Sequence, residues 1–269
     1  SYALHGLGGI GKTQTALEYV YRYAVHYTAV FWIGAETMES ITLSFLQIAE
    51  QLLLPERQET DQARMIAAVR RWLAHHHGWL MIWDNVEDVE VVFGFLPTAR
   101  IGTMLLTTRL QSLGTLAPGL EMSPLTLEEG ILLLLRRSRL LEPGASHDQR
   151  EGLRFTSPTE YAAARELAQL VDGLPLALDQ IGAYLEETPC SLIDYVRLYH
   201  TRSGELLRRR GRSPGYPESV ATTWSLSFEK IAQVNQSAVD LLRLCAFLAP
   251  DAIPEELFTQ RAAVLGEHL

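Results

Sequence analysis

A phosphate-binding loop near the start of the chain constrains the fold more than any other feature of the sequence. Residues 6–13 read Gly-Leu-Gly-Gly-Ile-Gly-Lys-Thr, which matches the pattern G-x-x-x-x-G-K-[ST]. Tyr2–Leu4 predicts a short buried strand before the loop, and Thr15–Val20 predicts a helix after it. In such a loop, successive backbone N–H groups face phosphate oxygens, and the helix N-terminus adds a favourable dipole. The sequence therefore predicts a bound nucleoside phosphate.

The same loop supplies most of the candidate ligand-binding residues. We expect Lys12 to reach the β- and γ-phosphates, and Thr13 to offer its hydroxyl group to Mg²⁺. The candidate cofactor-binding residues in and beside the loop are Gly8, Gly9, Ile10, Gly11, Lys12, Thr13 and Gln14.

Three further apolar runs predict buried strands, separated by segments with helical spacing. These runs are Ala29–Ile33, Trp79–Asp84 and Thr103–Arg109, and the intervening helices are predicted at Ser40–Leu54 and Gln58–His76. Strands that alternate with helices form right-handed crossovers and a parallel sheet, with ligands at the carboxyl ends of the strands. The first part of the chain is therefore predicted to be α/β.

Two strand ends carry the residue types that phosphate chemistry needs. Asp84 ends an apolar strand, where a carboxylate can position Mg²⁺ together with the hydroxyl of Thr13. Arg109 ends another strand, where a guanidinium group can reach a terminal phosphate with two hydrogen bonds. The candidate catalytic residues are therefore Lys12, Asp84 and Arg109, and the candidate metal ligands are Thr13 and Asp84.

The strand pattern disappears after about Ser123, and the rest of the chain is predicted to be helical. A basic stretch at 208–212, followed by Gly and Pro, indicates a boundary between two parts of the chain. The helices predicted before this boundary are Leu127–Leu141, Glu160–Val171, Leu176–Glu187 and Leu192–Tyr199, with a polar loop at 142–159. Those predicted after it are Glu218–Ile231, Ser237–Phe247 and one that starts at Pro254.

The composition of the chain excludes several classes of function. The formal net charge of −9 argues against a surface that coats nucleic acid. No apolar run approaches the ~20 residues that span a bilayer, so no membrane partner is expected. The two cysteines, Cys190 and Cys245, favour a reducing cytoplasm over a disulfide framework. Because the chain opens on the nucleotide-binding strand at Ser1, we expect it to be a fragment of a longer protein.

Four motifs in this order resemble the NB-ARC domain. They are the loop at 6–13, the strand with Asp84 and Asn85, the strand that ends at Arg109, and Gly-Leu-Pro-Leu-Ala-Leu at 173–178. NB-ARC domains are the nucleotide switches of STAND-class, NLR-like signalling NTPases. The segments 84–88 and 218–225 are similar to bacterial members of this class, which take part in defence and carry tetratricopeptide repeats downstream.

This resemblance implies a P-loop NTPase sheet with helices on both faces, a helical subdomain and a partial winged-helix subdomain. The expected boundaries are 1–120, 121–212 and 213–269. Adenine nucleotide, as ADP or ATP with Mg²⁺, is the implied cofactor, and Arg109 is the implied first sensor of the γ-phosphate. Pro175 is implied to pack on the nucleotide near its base. The family's adenine-binding segment is expected upstream of Ser1, and its Met-His-Asp motif has no counterpart in this sequence.

The resemblance also implies a switch that is closed with ADP and that opens and forms a homo-oligomer with ATP. The protein's own flanking effector and repeat domains are further implied partners. Many relatives have a second acid at the position of Asn85. An amide cannot accept a proton, so the sequence predicts slow ATP hydrolysis, and Glu87 and Asp88 are the neighbouring acids that could compensate. Two other functions stay open at this point: a winged-helix ATPase that binds DNA as a transcriptional regulator, and a small-molecule kinase with the same phosphate loop.

Overall fold

The computed structural model describes residues 1–99, 101–142, 157–206 and 235–246, together with the single residues 152, 232, 248, 254 and 258. The chain divides into two compact units, residues 1–196 and 197–269. The first unit contains the sheet and most of the described helices. The second contains the end of one helix and a further helix.

A five-stranded parallel sheet forms the centre of the first unit, as the alternating strands and helices predicted. The strand order is β2-β3-β4-β1-β5, so β4 lies between β1 and β3. The strands are β1 (Tyr2–His5), β2 (Ala29–Gly34), β3 (Trp79–Val86), β4 (Thr103–Thr108) and β5 (Gly119–Glu121).

Helices cover both faces of this sheet, which confirms the predicted α/β architecture. On one face, Leu80 and Ile82 of β3 pack with Ala16 of α1 (Lys12–Tyr23). On the other face, Met81 and Trp83 of the same strand join a larger apolar core. That core is completed by α2 (Met38–Gln51), α3 (Gln62–His75) and α4 (Val89–Phe95). Because alternate residues of β3 are buried on opposite faces, its first five residues, Trp79–Trp83, are apolar without a break.

Side-chain caps explain why two helices begin at residues other than those predicted. Helix α2 begins at Met38 rather than Ser40, because the hydroxyl of Thr37 accepts a hydrogen bond from the Ser40 amide. Helix α3 begins at Gln62 rather than Gln58, because the carboxylate of Asp61 accepts one from the Ala63 amide. A capping side chain accepts a hydrogen bond from a backbone N–H group of the first turn and thereby stabilises the start of the helix at that residue.

Helix α4 and strand β5 are short elements that were not predicted from the sequence. Helix α4 begins where Asp88 accepts a hydrogen bond from the Glu90 amide, and it has only seven residues. Strand β5 has three exposed residues and pairs with β1. Neither element has the length or the apolar alternation by which a sequence pattern identifies a helix or a strand.

Among the described residues that follow the sheet, the regular elements are helices, as predicted. Helix α5 (Leu127–Arg137) packs against α6 (Pro158–Leu170) and α7 (Pro175–Glu187). A Cβ atom added at Gly182 would lie 2.3 Å from the Cβ of Arg137, so the glycine permits α5 and α7 to approach closely. The Arg137 guanidinium also pairs with α7, at 2.8 Å from Asp179 and 3.2 Å from Glu186. Helix α8 spans Leu192–Leu206.

The end of the chain is described only in part. Helix α9 (Gln236–Cys245) corresponds to the helix predicted at Ser237–Phe247, and the amide oxygen of Asn235 caps it by accepting from the Ala238 amide. The basic stretch, the helix predicted at Glu218–Ile231 and most of the one predicted from Pro254 lie outside the described residues. The winged-helix assignment and the boundaries at 120 and 212 therefore remain predictions. Within the described ranges, no helix is long and apolar enough to cross a membrane.

Candidate phosphate-binding site

The loop between β1 and α1 has a backbone that only glycine adopts readily. Gly6, Gly9 and Gly11 have φ values of +143°, +80° and +95°. A Cβ atom added at Gly6 would also lie 2.8 Å from the carbonyl oxygen of Met122. Positive φ at three positions curls the chain into a concave turn, which is the shape of an anion-binding loop.

Lys12 is the first residue of α1 and is almost fully buried. Its side chain is 7% exposed, and its Nζ donates hydrogen bonds of 2.8 Å to the carbonyl oxygens of Gly6 and Leu7. Burial, and secondly the positive charge of Arg109, lower the pKa of Lys12 to about 8, while the charge of Asp84 opposes this change. The loop therefore holds a cation that would gain from the arrival of an anion.

Asp84 accepts two hydrogen bonds at the end of β3. The hydroxyl of Thr13 donates to its Oδ1 at 2.8 Å, and the hydroxyl of Thr107 donates to the same atom at 2.5 Å. Thr107 is available because β4 lies between β1 and β3. The structure thus brings together the two predicted metal ligands, Thr13 and Asp84. It adds Thr107, whose only sequence signal was a hydroxyl near the end of a strand.

The chemistry of these oxygen atoms fits Mg²⁺. Magnesium is bound in nucleotide sites by one or two carboxylates together with phosphate oxygens and water. Asp84 supplies one carboxylate and Thr13 one hydroxyl, 2.8 Å apart. Among the described residues, no group of three or more His, Cys, Asp or Glu side chains could hold a metal ion by itself. A metal ion at this site would therefore complete its shell with phosphate oxygens and water.

Arg109 follows the last residue of β4 and has an exposed side chain. Its charge contributes to the lowered pKa of Lys12, so the two cations share one electrostatic environment. Of the other predicted loop residues, Ile10 is buried, and Gly8 and Gln14 are half-buried. The predicted site residues of the loop and the strand ends thus lie at one edge of the sheet.

The start of α7 contacts the loop directly. The Leu176 amide donates a 3.1 Å hydrogen bond to the carbonyl oxygen of Gly9, and a Cβ atom added at Gly9 would lie 2.9 Å from the Cβ of Leu176. Pro175, the residue selected from the sequence, is the first residue of α7 and is half-buried. Proline has no N–H group, so Leu176 is the first residue of the helix that can donate to the loop.

Gly173 forms the turn that precedes the start of α7. It has a φ of +63°, and a Cβ atom added there would lie 2.2 Å from the carbonyl oxygen of Leu125. The Leu125 amide donates a 3.1 Å hydrogen bond to the carbonyl oxygen of Gly173. The Gly-Leu-Pro motif therefore combines a left-handed turn, a close backbone approach and a helix start.

Asn85 lies in an irregular part of β3 and contacts an acid from another strand end. The pairing of β3 with β4 shifts register between Trp83 and Val86, and Asn85 has a φ of +58°. Its backbone amide donates to the hydroxyl of Thr107 at 2.9 Å, and its side-chain amide donates to Glu36 Oε1 at 2.9 Å. Glu36 was not selected from the sequence, because it is one of several acids outside the predicted strands.

Comparison with known proteins gives three findings. The family model of the NB-ARC domain matches residues 2–136. A nucleotide-binding leucine-rich repeat (NLR)-like protein from Hyaloscypha variabilis is 27% identical over 285 residues, which cover 94% of this chain and 27% of that protein. A crystal structure of a STAND protein with a tetratricopeptide repeat sensor, from Pyrococcus horikoshii, has 19% identity and a TM-score of 0.38, over 69% of this chain and 29% of that one.

At a TM-score of 0.38, the likeness to the STAND structure supports no conclusion about this chain. The chain spans about a quarter of the length of the NLR-like relative. The family model covers half of the chain and includes the loop, Asp84, Arg109 and nearly all of helix α5. The predicted family is thereby confirmed, whereas a bacterial origin stays a prediction. The chain belongs to the NB-ARC family.

Proposed function

We propose that this chain is an ADP- and ATP-dependent switch. ADP holds it closed, exchange for ATP opens it and leads to self-association in the cytoplasm, and slow hydrolysis of ATP restores the closed form. The observation that supports this most directly is the hydrogen bond from Leu176 to Gly9, because it joins the helical part of the chain to the phosphate loop. A nucleotide bound in the phosphate loop would change the environment of this hydrogen bond.

Different residues of the site would bind different parts of the nucleotide and its metal ion. Lys12 and the loop amides would hold the β- and γ-phosphates, and Thr13 with Asp84 would hold Mg²⁺. When bound, Mg²⁺ neutralises negative charge on the phosphate oxygens. The proposed role of Pro175 is to pack on the nucleotide near its base, from the first turn of α7. This division explains why the buried ammonium group lies close to a carboxylate and a second cation.

Arg109 is the residue by which the proposed switch would distinguish ATP from ADP. A ligand shifts a conformational equilibrium only through contacts that differ between the two states. A hydrogen bond to a charged group contributes about 1.5–3 kcal/mol. One contact from Arg109 to the γ-phosphate would thus shift the equilibrium about 10- to 100-fold. That is enough for a switch whose two states differ by a few kcal/mol in free energy.

The test is nucleotide binding by the purified chain and by two lysine variants. The chain has only two lysines, Lys12 and Lys230, so Lys230→Arg is a control for Lys12→Ala. We expect ADP and Mg-ATP to bind in calorimetry, and Lys12→Ala to weaken both at least about tenfold, because it removes hydrogen bonds to charged phosphate groups. Arg109→Gln is expected to weaken Mg-ATP more than ADP.

Two further measurements complete this test. Circular dichroism verifies that each variant is folded, and light scattering of the full-length protein with Mg-ATP and with ADP reports self-association. A folded chain that binds neither nucleotide, or a Lys12→Ala variant that binds as tightly as the wild type, would refute the proposal. Equal association with ADP and with ATP would refute the switch but not the nucleotide site.

A further inference from the structure

The carboxyl ends of β2 and β3 carry a carboxylate and an amide that contact each other. Gly34 of β2 pairs with Asp84 of β3, and the amide of Ala35 donates to the carbonyl oxygen of Asp84 at 2.7 Å. Glu36 is the next residue after Ala35, and its Oε1 accepts the 2.9 Å hydrogen bond from Asn85. Both side chains are exposed. This hydrogen bond places Glu36 beside the residue that follows the predicted metal ligand.

The irregular backbone at Asn85 directs its side chain towards β2. Asparagine tolerates positive φ better than most residues, and a bulge commonly redirects a side chain near a functional site. The hydroxyl of Thr107 accepts from the Asn85 amide and donates to Asp84, so the conformation of Asn85 is tied to the metal-binding carboxylate. The position of Glu36 is thus coupled to that of Asp84 through two strands.

The two acids that were considered from the sequence are placed differently. Asp88 caps α4 by accepting a hydrogen bond from the Glu90 amide at 2.8 Å, so its carboxylate already stabilises a helix. Glu87 follows Val86, the last residue of β3, on the way to that helix. The side-chain amide of Asn85 donates its 2.9 Å hydrogen bond to Glu36, which places the Glu36 carboxylate beside the residue that follows Asp84.

We propose that Glu36 is the proton acceptor for ATP hydrolysis at this site, and that Asn85 positions it. This inference rests on the proposed function as an ATP-dependent switch. A carboxylate has about four lone-pair positions, so one hydrogen bond from Asn85 leaves the remaining ones for a water molecule. Asn85 would position the carboxylate and Glu36 would accept the proton, whereas a single acid at residue 85 could do both.

The reaction assigned to Glu36 is the activation of water. The oxygen of the water molecule forms a bond to the γ-phosphorus, and the bond from that phosphorus to the β,γ-bridging oxygen breaks. The electron pair of the broken bond remains on ADP. The proton of the water passes to Glu36 and then to solvent, so that ATP and water give ADP, inorganic phosphate and a proton.

The experiment compares three glutamine variants of neighbouring acids. Glu36→Gln keeps the size of the side chain and removes the proton acceptor, Glu87→Gln tests the competing acid, and Glu39→Gln is a control in the first turn of α2. We expect Glu36→Gln to lower the single-turnover rate of ATP hydrolysis about 100-fold or more, which is typical of the loss of a general base. The other two variants are expected to hydrolyse ATP at nearly the wild-type rate.

Two binding measurements separate loss of the base from loss of the site. We expect the Kd of Glu36→Gln for ADP to stay within about twofold of the wild type, since the phosphate loop is unchanged. With ADP and aluminium fluoride, which mimic the transferring phosphoryl group and its attacking water, we expect binding at least about tenfold weaker. The exchange variant, Glu36→Gln with Asn85→Glu, is expected to recover much of the lost rate.

Each outcome has a defined meaning. If Glu36→Gln hydrolyses ATP as fast as the wild type, or if Glu87→Gln alone loses activity, the inference is wrong and the nucleotide site stands. A wild type that binds Mg-ATP without any hydrolysis also overturns the inference. A wild type that binds no nucleotide removes the proposed function, and the role of Glu36 with it.

Discussion

Lys12 offers the most direct physical test of the phosphate loop, because its burial can be measured without any ligand. The pKa of Lys12 is lowered from 10.5 to about 8, mainly by burial and secondly by Arg109. The gap of about 2.5 between these two values corresponds, at about 1.4 kcal/mol per pKa unit, to at most about 3.5 kcal/mol. This is the free energy by which the folded chain disfavours the charged form of Lys12.

The sign of the pH dependence follows from this lowered pKa. Between about pH 8 and pH 10.5 the unfolded chain keeps the Lys12 proton and the folded chain has lost it. Stability therefore rises with pH through that range, because the unfolded state binds more protons. Relative to Lys12→Met, the wild type is expected to gain up to about 3 kcal/mol in free energy of unfolding between pH 7 and pH 11. The hydrogen bonds that the variant loses add an offset but no slope.

The assay combines urea denaturation with lysine NMR. With ¹³C-labelled lysine, the spectrum contains only two ε-carbon signals, from Lys12 and Lys230, and Lys230→Arg assigns them. We expect the Lys12 signal to titrate near pH 8 in the folded chain and at a higher pH when ADP is bound, since phosphate favours the ammonium form. A Lys12 titration near pH 10.5 without ligand, or a flat difference between wild type and Lys12→Met, would refute the reasoning.

Three further predictions concern the neighbours of this lysine and the helices. In the same NMR titration, Asp84→Asn is expected to lower the pKa of the loop lysine and Arg109→Gln to raise it; shifts in the same direction would contradict the placement of these charges. Gly9→Ala should lower the free energy of unfolding by about 1–3 kcal/mol, because the φ of Gly9 is positive and α7 leaves no space for a Cβ atom. The control Gly94→Ala, where an added Cβ would have no atom within 4 Å, should be neutral or stabilising. Equal effects of the two variants in urea denaturation would argue against this. Thr126→Ala should cost about 1 kcal/mol by removing the cap of α5, and Thr126→Ser should retain most of that stability.

The parts of the site that the sequence predicts are those that depend on local geometry. The glycines of the loop, Lys12 and Thr13 belong to one contiguous motif, and their positions follow from the strand before them and the helix after them. Asp84 lies near the end of β3 and Arg109 follows β4, and parallel strands bring their carboxyl ends to one edge. The family and the α/β fold could therefore be identified before the structure was known.

The remaining parts depend on which strands are neighbours. The bond from Thr107 to Asp84 exists because β4 inserts between β1 and β3, and an alternating pattern of strands and helices does not give that order. The contact between Glu36 and Asn85 joins residues 49 positions apart across two strand ends. The loop contact of Leu176 was not predicted, because it follows from the position at which α7 begins: Pro175 has no N–H group, so Leu176 is the first residue that can donate to Gly9.

The hydrogen bond between Leu176 and Gly9 also has a consequence for the orientation of a neighbouring peptide group. A trans peptide unit is planar, so its C=O and N–H vectors point in opposite directions. With the Gly9 carbonyl turned towards α7, the Ile10 N–H must point away from that helix. Withdrawing the helix by a few ångströms would release this plane to rotate. Movement of α7 would thereby change the direction in which the Ile10 N–H group points.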